Sequence, residues 1–135
     1  MRRSIVVVLS LVLASVGVGC YKFIGFPNYG RPIIIAVVIH KGKGTCTTHT
    51  SPQWQPVRRG DKIIWDPALA DPCPPPNDVK IQFKDSGVVR FTDSSEVKAS
   101  SGQKEGEVVG ACGRYKYSVL LNGKVVEDPE IEIWP

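Results

Sequence analysis

Beyond its initiator the chain has no methionine, and it has only two histidines in 135 residues. A mature product therefore lacks thioether ligands and is short of imidazoles for metal chemistry. No segment shows the apolar spacing of an amphipathic helix of normal length, which argues against a helical bundle. There is no glycine-rich phosphate loop, and no stripe of basic residues interleaved with aromatics. Nucleotide chemistry and nucleic-acid binding lose their usual signatures with them. No internal repeat is visible. The net charge is +4, and it falls to +2 without Arg2 and Arg3. That is too mild to argue for a nucleic-acid or acidic partner.

What is present begins at the N-terminus. Met1-Arg2-Arg3 is a short positive stretch, and Ser4 to Val18 is uncharged and rich in Val and Leu. This is the pattern of a signal peptide over residues 1–19. A spanning helix needs roughly 20 apolar residues, so the run is short for a permanent anchor. Val16-Gly17-Val18-Gly19-Cys20 resembles a bacterial lipobox, although Gly17 stands where that pattern has Leu. The resemblance implies a diacylglycerol on Cys20, export, and attachment to a membrane of the cell envelope or periplasm. Ordinary cleavage nearby would instead leave Cys20 as a thiol or a disulfide partner. Residues 20–32, with Gly, Pro and Asn between aromatics, read as a tether.

From residue 33 to 135 the pattern is that of one small β domain. Ile33 to His40 is a β-branched run long enough for a strand buried on both faces. Lys41 to Gly44 breaks it. Gln53–Arg58 and Lys62–Trp65 read as strands around an Arg59-Gly60-Asp61 turn. Asp66 to Asp78 holds five prolines and reads as a loop. Val79–Phe83 alternates cleanly, Val88–Phe91 is a short strand, and Thr92–Gly106 is a polar edge or loop. Arg114–Leu121 alternates, with Tyr115, Tyr117, Val119 and Leu121 on one side. Asn122-Gly123 is a strong hairpin signal before Val125-Val126, because a type I′ turn needs positive φ at both central residues. Glu130–Trp134 closes the domain. The fold class expected is all-β, a Greek-key sandwich or barrel behind a signal-peptide helix.

The stretch from Val57 to Trp65, with its Gly-Asp turn before an apolar strand ending in an aromatic, resembles the cupredoxins, the β-sandwich family of plastocyanin and azurin. Val79–Phe83, Gly113–Val119 and Asp128–Ile133 resemble that family's later strands. The family's blue-copper site takes a His from the loop after the apolar strand, and a Cys, a His and usually a Met after the penultimate strand. Asp66–Asp78 holds no His here, and Ser118–Asn122 holds no Cys, His or Met. The resemblance therefore implies the framework without the blue-copper ligands, and no cofactor is expected. In the topology it implies, Cys46 enters its strand from the same end as the loop carrying Cys73. A Cys46–Cys73 disulfide is then sensible in an exported protein. A free thiol at Cys46 stays open beside it, as does a copper or zinc site built from His40, Cys46 and His49.

Cys112, in the turn Gly110–Gly113, is expected as a buried thiol. Without a lipid on Cys20, the four cysteines allow two bridges in three pairings. Cys46 with His49 as nucleophile and base lacks an orienting third group, so no enzyme is expected. Trp65 is expected in the core and Trp134 at the surface. Glu105/Glu107 and Glu130/Glu132 read as solvent-facing strand positions. The function these observations favour is an exported, lipid-anchored, non-catalytic binding or structural module. Its rim or Tyr/Trp surface would meet an unidentified envelope protein or ligand. The alternative is a metal-binding envelope protein using His40, Cys46 and His49.

Overall fold

The computed structural model describes residues 32–92, 96–98 (backbone) and 103–135. The segments expected as a signal peptide (1–19) and a tether (20–32), Cys20 included, lie outside the described residues except for Pro32, which opens the first strand. Eleven strands and no helix are found among those described. They are β1 Pro32–Gly42, β2 Thr45–Ser51, β3 Trp54–Arg58, β4 Lys62–Leu69, β5 Asp78–Phe83, β6 Val89–Phe91, β7 Glu96–Lys98, β8 Lys104–Val108, β9 Gly113–Leu121, β10 Lys124–Glu127 and β11 Glu130–Trp134.

They form two sheets. One runs β2-β1-β4-β8-β6; the other runs β3-β11-β9-β5-β7, with β10 added to β9. The pairs β1–β4 and β11–β3 are parallel and the remaining pairs antiparallel, so both sheets are mixed. The chain crosses between sheets at Arg59-Gly60-Asp61. There Gly60 takes φ +92°, and the buried Asp61 carboxylate accepts the Arg58 N–H at 2.7 Å.

The core fills the space between the sheets. Ile35, Val37 and Ile39 of β1, Ile63 and Trp65 of β4, Val79 and Ile81 of β5, Tyr117, Val119 and Leu121 of β9, and Ile131 and Ile133 of β11 are all buried. Each such apolar side chain contributes about 1.5–3 kcal/mol when fully removed from water. Trp65, Phe83, Phe91 and Tyr117 form one aromatic cluster, with ring centroids 5.1–6.3 Å apart.

Two expectations are corrected here, and two further segments are placed in strands. β1 is buried on one face only: Ile34 is 60 % exposed, because a sheet of two-layer packing covers only the side turned to its partner. The proline-rich segment is strand as far as Leu69. Pro67 is tolerated because Ala70 directs its N–H to Ile39 O, so residues of opposite parity point away from β1. On that side the β8 pairing runs only as far as Trp65, so Pro67 meets no ladder position among the described residues. Residues 45–51, which show no apolar alternation, form the edge strand β2. The polar segment after Thr92 contains β7 and the start of β8.

Candidate functional site

The loop end of the sandwich is where β1 leaves, β4 turns into β5 and β9 turns into β10. Here β9 passes directly into the two-residue turn Asn122-Gly123, whose φ values of 51° and 81° fit a type I′ hairpin. Asn122 then binds the neighbouring loop twice. Its Oδ1 accepts the Asp78 N–H at 2.9 Å, and its own N–H donates to Asp78 O at 2.8 Å. Asn77 Nδ2 donates to Cys73 O at 3.1 Å, and the Lys41 N–H donates to Asp71 Oδ2 at 2.8 Å. Cys73 is bonded to Cys46 on β2, with Cα atoms 6.1 Å apart.

These residues do not fit a blue-copper ion. The donors are amides, carbonyls and a carboxylate already engaged with backbone, and the one sulfur pair is oxidised. No step through copper follows from them. Among the described residues no group of three or more His, Cys, Asp or Glu side chains is gathered to hold a metal.

The alternative set does not assemble. His40 and His49 lie on the outer face of their sheet, opposite Thr47 and Val38 respectively. Cys46 shares the inner face with the buried Thr48 and Thr50, and its sulfur is committed to Cys73. A thiolate is therefore unavailable to His40 and His49, and the thiol nucleophile falls for the same reason. His40 Nδ1 lies 3.3 Å from Lys41 O, and the exposed His49 has Nδ1 4.0 Å from Glu127 Oε1.

Glu127 is the residue that sequence reasoning missed. It accepts the hydroxyls of Thr48 and Thr50 at 2.8 and 2.6 Å, the Thr50 N–H at 3.0 Å and Gln53 Nε2 at 3.0 Å. One carboxylate so fastens β10 to the edge strand β2, joining the two sheets. The only hint in the sequence is the run of threonines in β2, which carries no period that points to Glu127.

The opposite end and its adjoining outer face differ. Trp54 and Trp134 are 41 % and 44 % exposed, with ring centroids 6.3 Å apart at 55°. The parallel pairing of β3 with β11 sets them side by side with Pro56, Glu130 and Glu132. Arg114 of β9 reaches both acids, at 3.6 Å to Glu130 and 3.3 Å to Glu132. A hydrogen bond from Trp134, with others from Arg114 and Trp54, holds the Glu132 carboxyl below its ordinary value, against a smaller opposing effect of desolvation. Beside Trp134 a hollow of about 390 Å³ is walled by Pro32, Ile33, Pro56 and Arg58. Glu130 and Glu132 are half-buried partners of Arg114, and Trp65 is fully buried.

Cys112, also at this end, corrects another expectation. It is not a thiol but disulfide-bonded, and its partner lies outside the described residues.

Taken by architecture and site, the protein is an all-β, mixed-sheet sandwich with a tied loop end. No family model and no curated protein matches the chain. Among solved structures it is similar to a proline-to-glycine mutant of amicyanin in its reduced Cu(I) form. The TM-score is 0.44 and the identity 11 %, over 76 % of this chain and 81 % of that one. The likeness to cupredoxins is a distant one of fold.

Proposed function

We propose that the chain is an exported, non-catalytic binding module of cupredoxin-like build that meets another envelope component through its Trp54–Trp134 face. The observation that carries this is the occupied loop end. There Asn122, Asp78, Asn77 and the Cys46–Cys73 bridge fill, with mutual bonds, the place where a copper site would need open ligands. Among the described residues the paired tryptophans are the largest exposed apolar groups that stand together, and indoles are favoured at contact sites because one ring offers both area and a polar tip. The Cys46–Cys73 bridge supports export, since such bonds persist in oxidising compartments.

The state of Cys20 bears on anchoring. A diacylglycerol there would hold the domain on a membrane surface. A bridge from Cys20 to Cys112 would leave that residue without a lipid.

The reading is tested by titrating purified protein with Cu and Zn while following absorbance and heat. No stoichiometric tight binding is expected. An intense blue band, or one tight equivalent abolished by His49→Ala, would overturn it.

A further inference from the structure

We infer that the partner of the Trp54–Trp134 face is a neutral glycan chain, whose pyranose rings stack on the two indoles. The inference rests on the contact role proposed for this face and names the chemistry of what is met there.

The two rings are held in place as well as exposed. In the β3–β11 register Trp54 lies opposite Glu130 and Trp134 opposite Arg58, with Pro56 and Glu132 paired between them. The rings therefore come from opposite ends of the strand pair and lean inward until their centroids are 6.3 Å apart. Both indoles hydrogen-bond the Glu132 carboxylate between them, and Arg114 holds that carboxylate in turn. With their polar tips engaged, what the rings still offer a partner is π surface, and 41 % and 44 % of the two residues is exposed.

The charges beside the rings select among partners. Arg114 reaches Glu130 and Glu132, Lys116 lies opposite Glu130, and Arg58 lies opposite Trp134, so neither sign dominates. A cationic peptide would gain from the ring faces but would meet Arg58 and Arg114. An anionic partner would meet Glu130, Glu132 and the negative faces of both indoles. A neutral polyol avoids both costs. In an equatorially substituted pyranose the hydroxyls lie around the rim, and the axial C–H groups form an apolar face of slight positive charge. That face complements the negative face of an indole. The rim hydroxyls stay in water or take bonds from Arg114, whose side chain is 64 % exposed and carries a fork of N–H donors. The 55° between the rings fits successive sugars of a chain, whose planes turn about each glycosidic bond. A single flat aromatic ligand would lie against one ring only.

The experiment titrates the purified full chain with cellohexaose and chitohexaose, following indole emission and heat. Saturable binding of at least one hexamer is expected, with a shift in emission. Because the partner is neutral, the affinity should change by less than about twofold on adding salt. Trp54→Ala and Trp134→Ala should each weaken binding on the order of tenfold, and the Phe variants should keep part of it. The unfolding midpoint of each variant shows that it is folded. Binding of neither hexamer, or binding that survives both Ala variants, would overturn the inference. A dimer that forms with rising concentration and is lost in Trp54→Ala would also overturn it, as would binding of an oligolysine or oligoglutamate on the same indoles. Those two outcomes would leave the face a contact surface. One tight equivalent of copper or zinc would overturn the reading beneath the inference, and the inference with it.

Discussion

At the end where β1 leaves, Cys46 is bonded to Cys73 and Asn122 is bonded twice to Asp78, and the loops between strands are held by one another. At the end where β1 enters, and on the face beside it, Trp134 and Trp54 stand in solvent next to a hollow, and Glu132 is held by exposed groups. On the proposed reading, the contrast is the reason a partner would be met at the open face and not at the tied loops. Loops whose polar groups are satisfied internally offer few free donors, and opening them would cost the bonds already made. A flat face with paired indoles loses little of its own structure on contact.

The largest effect is expected where the loops are covalently tied. The Cys46–Cys73 bridge closes a segment with a separation of 27 residues. By chain entropy, a loop of that size corresponds to about 3–4 kcal/mol of stability, the mechanism being model-dependent. Cys46→Ser with Cys73→Ser should lower the midpoint of chemical unfolding accordingly while leaving the Trp54–Trp134 face intact. If the double variant unfolds at the same denaturant concentration as the parent, the tied end is not what stabilises the domain.

Next comes the carboxylate that carries the tying down the side of the sandwich. Thr50 is fully buried and Thr48 nearly so, and both hydroxyls end on Glu127. Glu127→Ala strands them, at a cost of about 2–3 kcal/mol. Adding Thr48→Val and Thr50→Val should recover part of that loss, because apolar groups of similar shape need no partner. A triple variant as unstable as Glu127→Ala would show that the hydroxyl bonds are not the source.

These residues also show what the sequence makes legible. The β9–β10 hairpin was readable because Asn122-Gly123 is a local signal that any flanking strands must obey. β5, β9 and β11 were readable because one face of each is apolar. β2 was not, since its inward positions are threonines, whose burial depends on a glutamate 77 and 79 residues further along. Pro67 reads as a breaker until the β8 pairing beside it is known to run only as far as Trp65. The Trp54–Trp134 contact likewise depends on a parallel pairing between β3 and β11, which no short-range pattern announces. Cys112 misled because lipidation of Cys20 leaves an odd cysteine, and the count alone cannot tell a lipid from a bridge.

A smaller effect belongs to the open face. Glu132 is held below its ordinary 4.5. Its folded-state value being lowered, its contribution is present above that ordinary value and is lost as pH falls through the folded value. Acid titration should therefore change the emission of Trp54 and Trp134 below about pH 4.5, before global unfolding. Glu132→Gln should remove that step. Persistence of the step in the variant would assign it to another acid and separate Glu132 from the tryptophan pair.

The smallest effect sharpens what being tied means. Tyr117 lies in the aromatic core, and its hydroxyl and the Trp65 indole nitrogen are both buried without a partner in good hydrogen-bond geometry. Burial raises the Tyr117 phenol well above its ordinary value, and a weak interaction with Trp65 offsets this only in part. Unlike the Thr48 and Thr50 hydroxyls, this one has lost water without a full replacement. Tyr117→Phe keeps the ring contacts with Phe83 at 5.1 Å and with Trp65 at 5.9 Å while removing the group that lacks a bond. The change in unfolding free energy should be within about 0.5–1 kcal/mol of zero, or stabilising. A loss comparable to that of Glu127→Ala, measured by denaturant unfolding, would mean that the hydroxyl does have a strong partner and that the core is tied as firmly as the loop end.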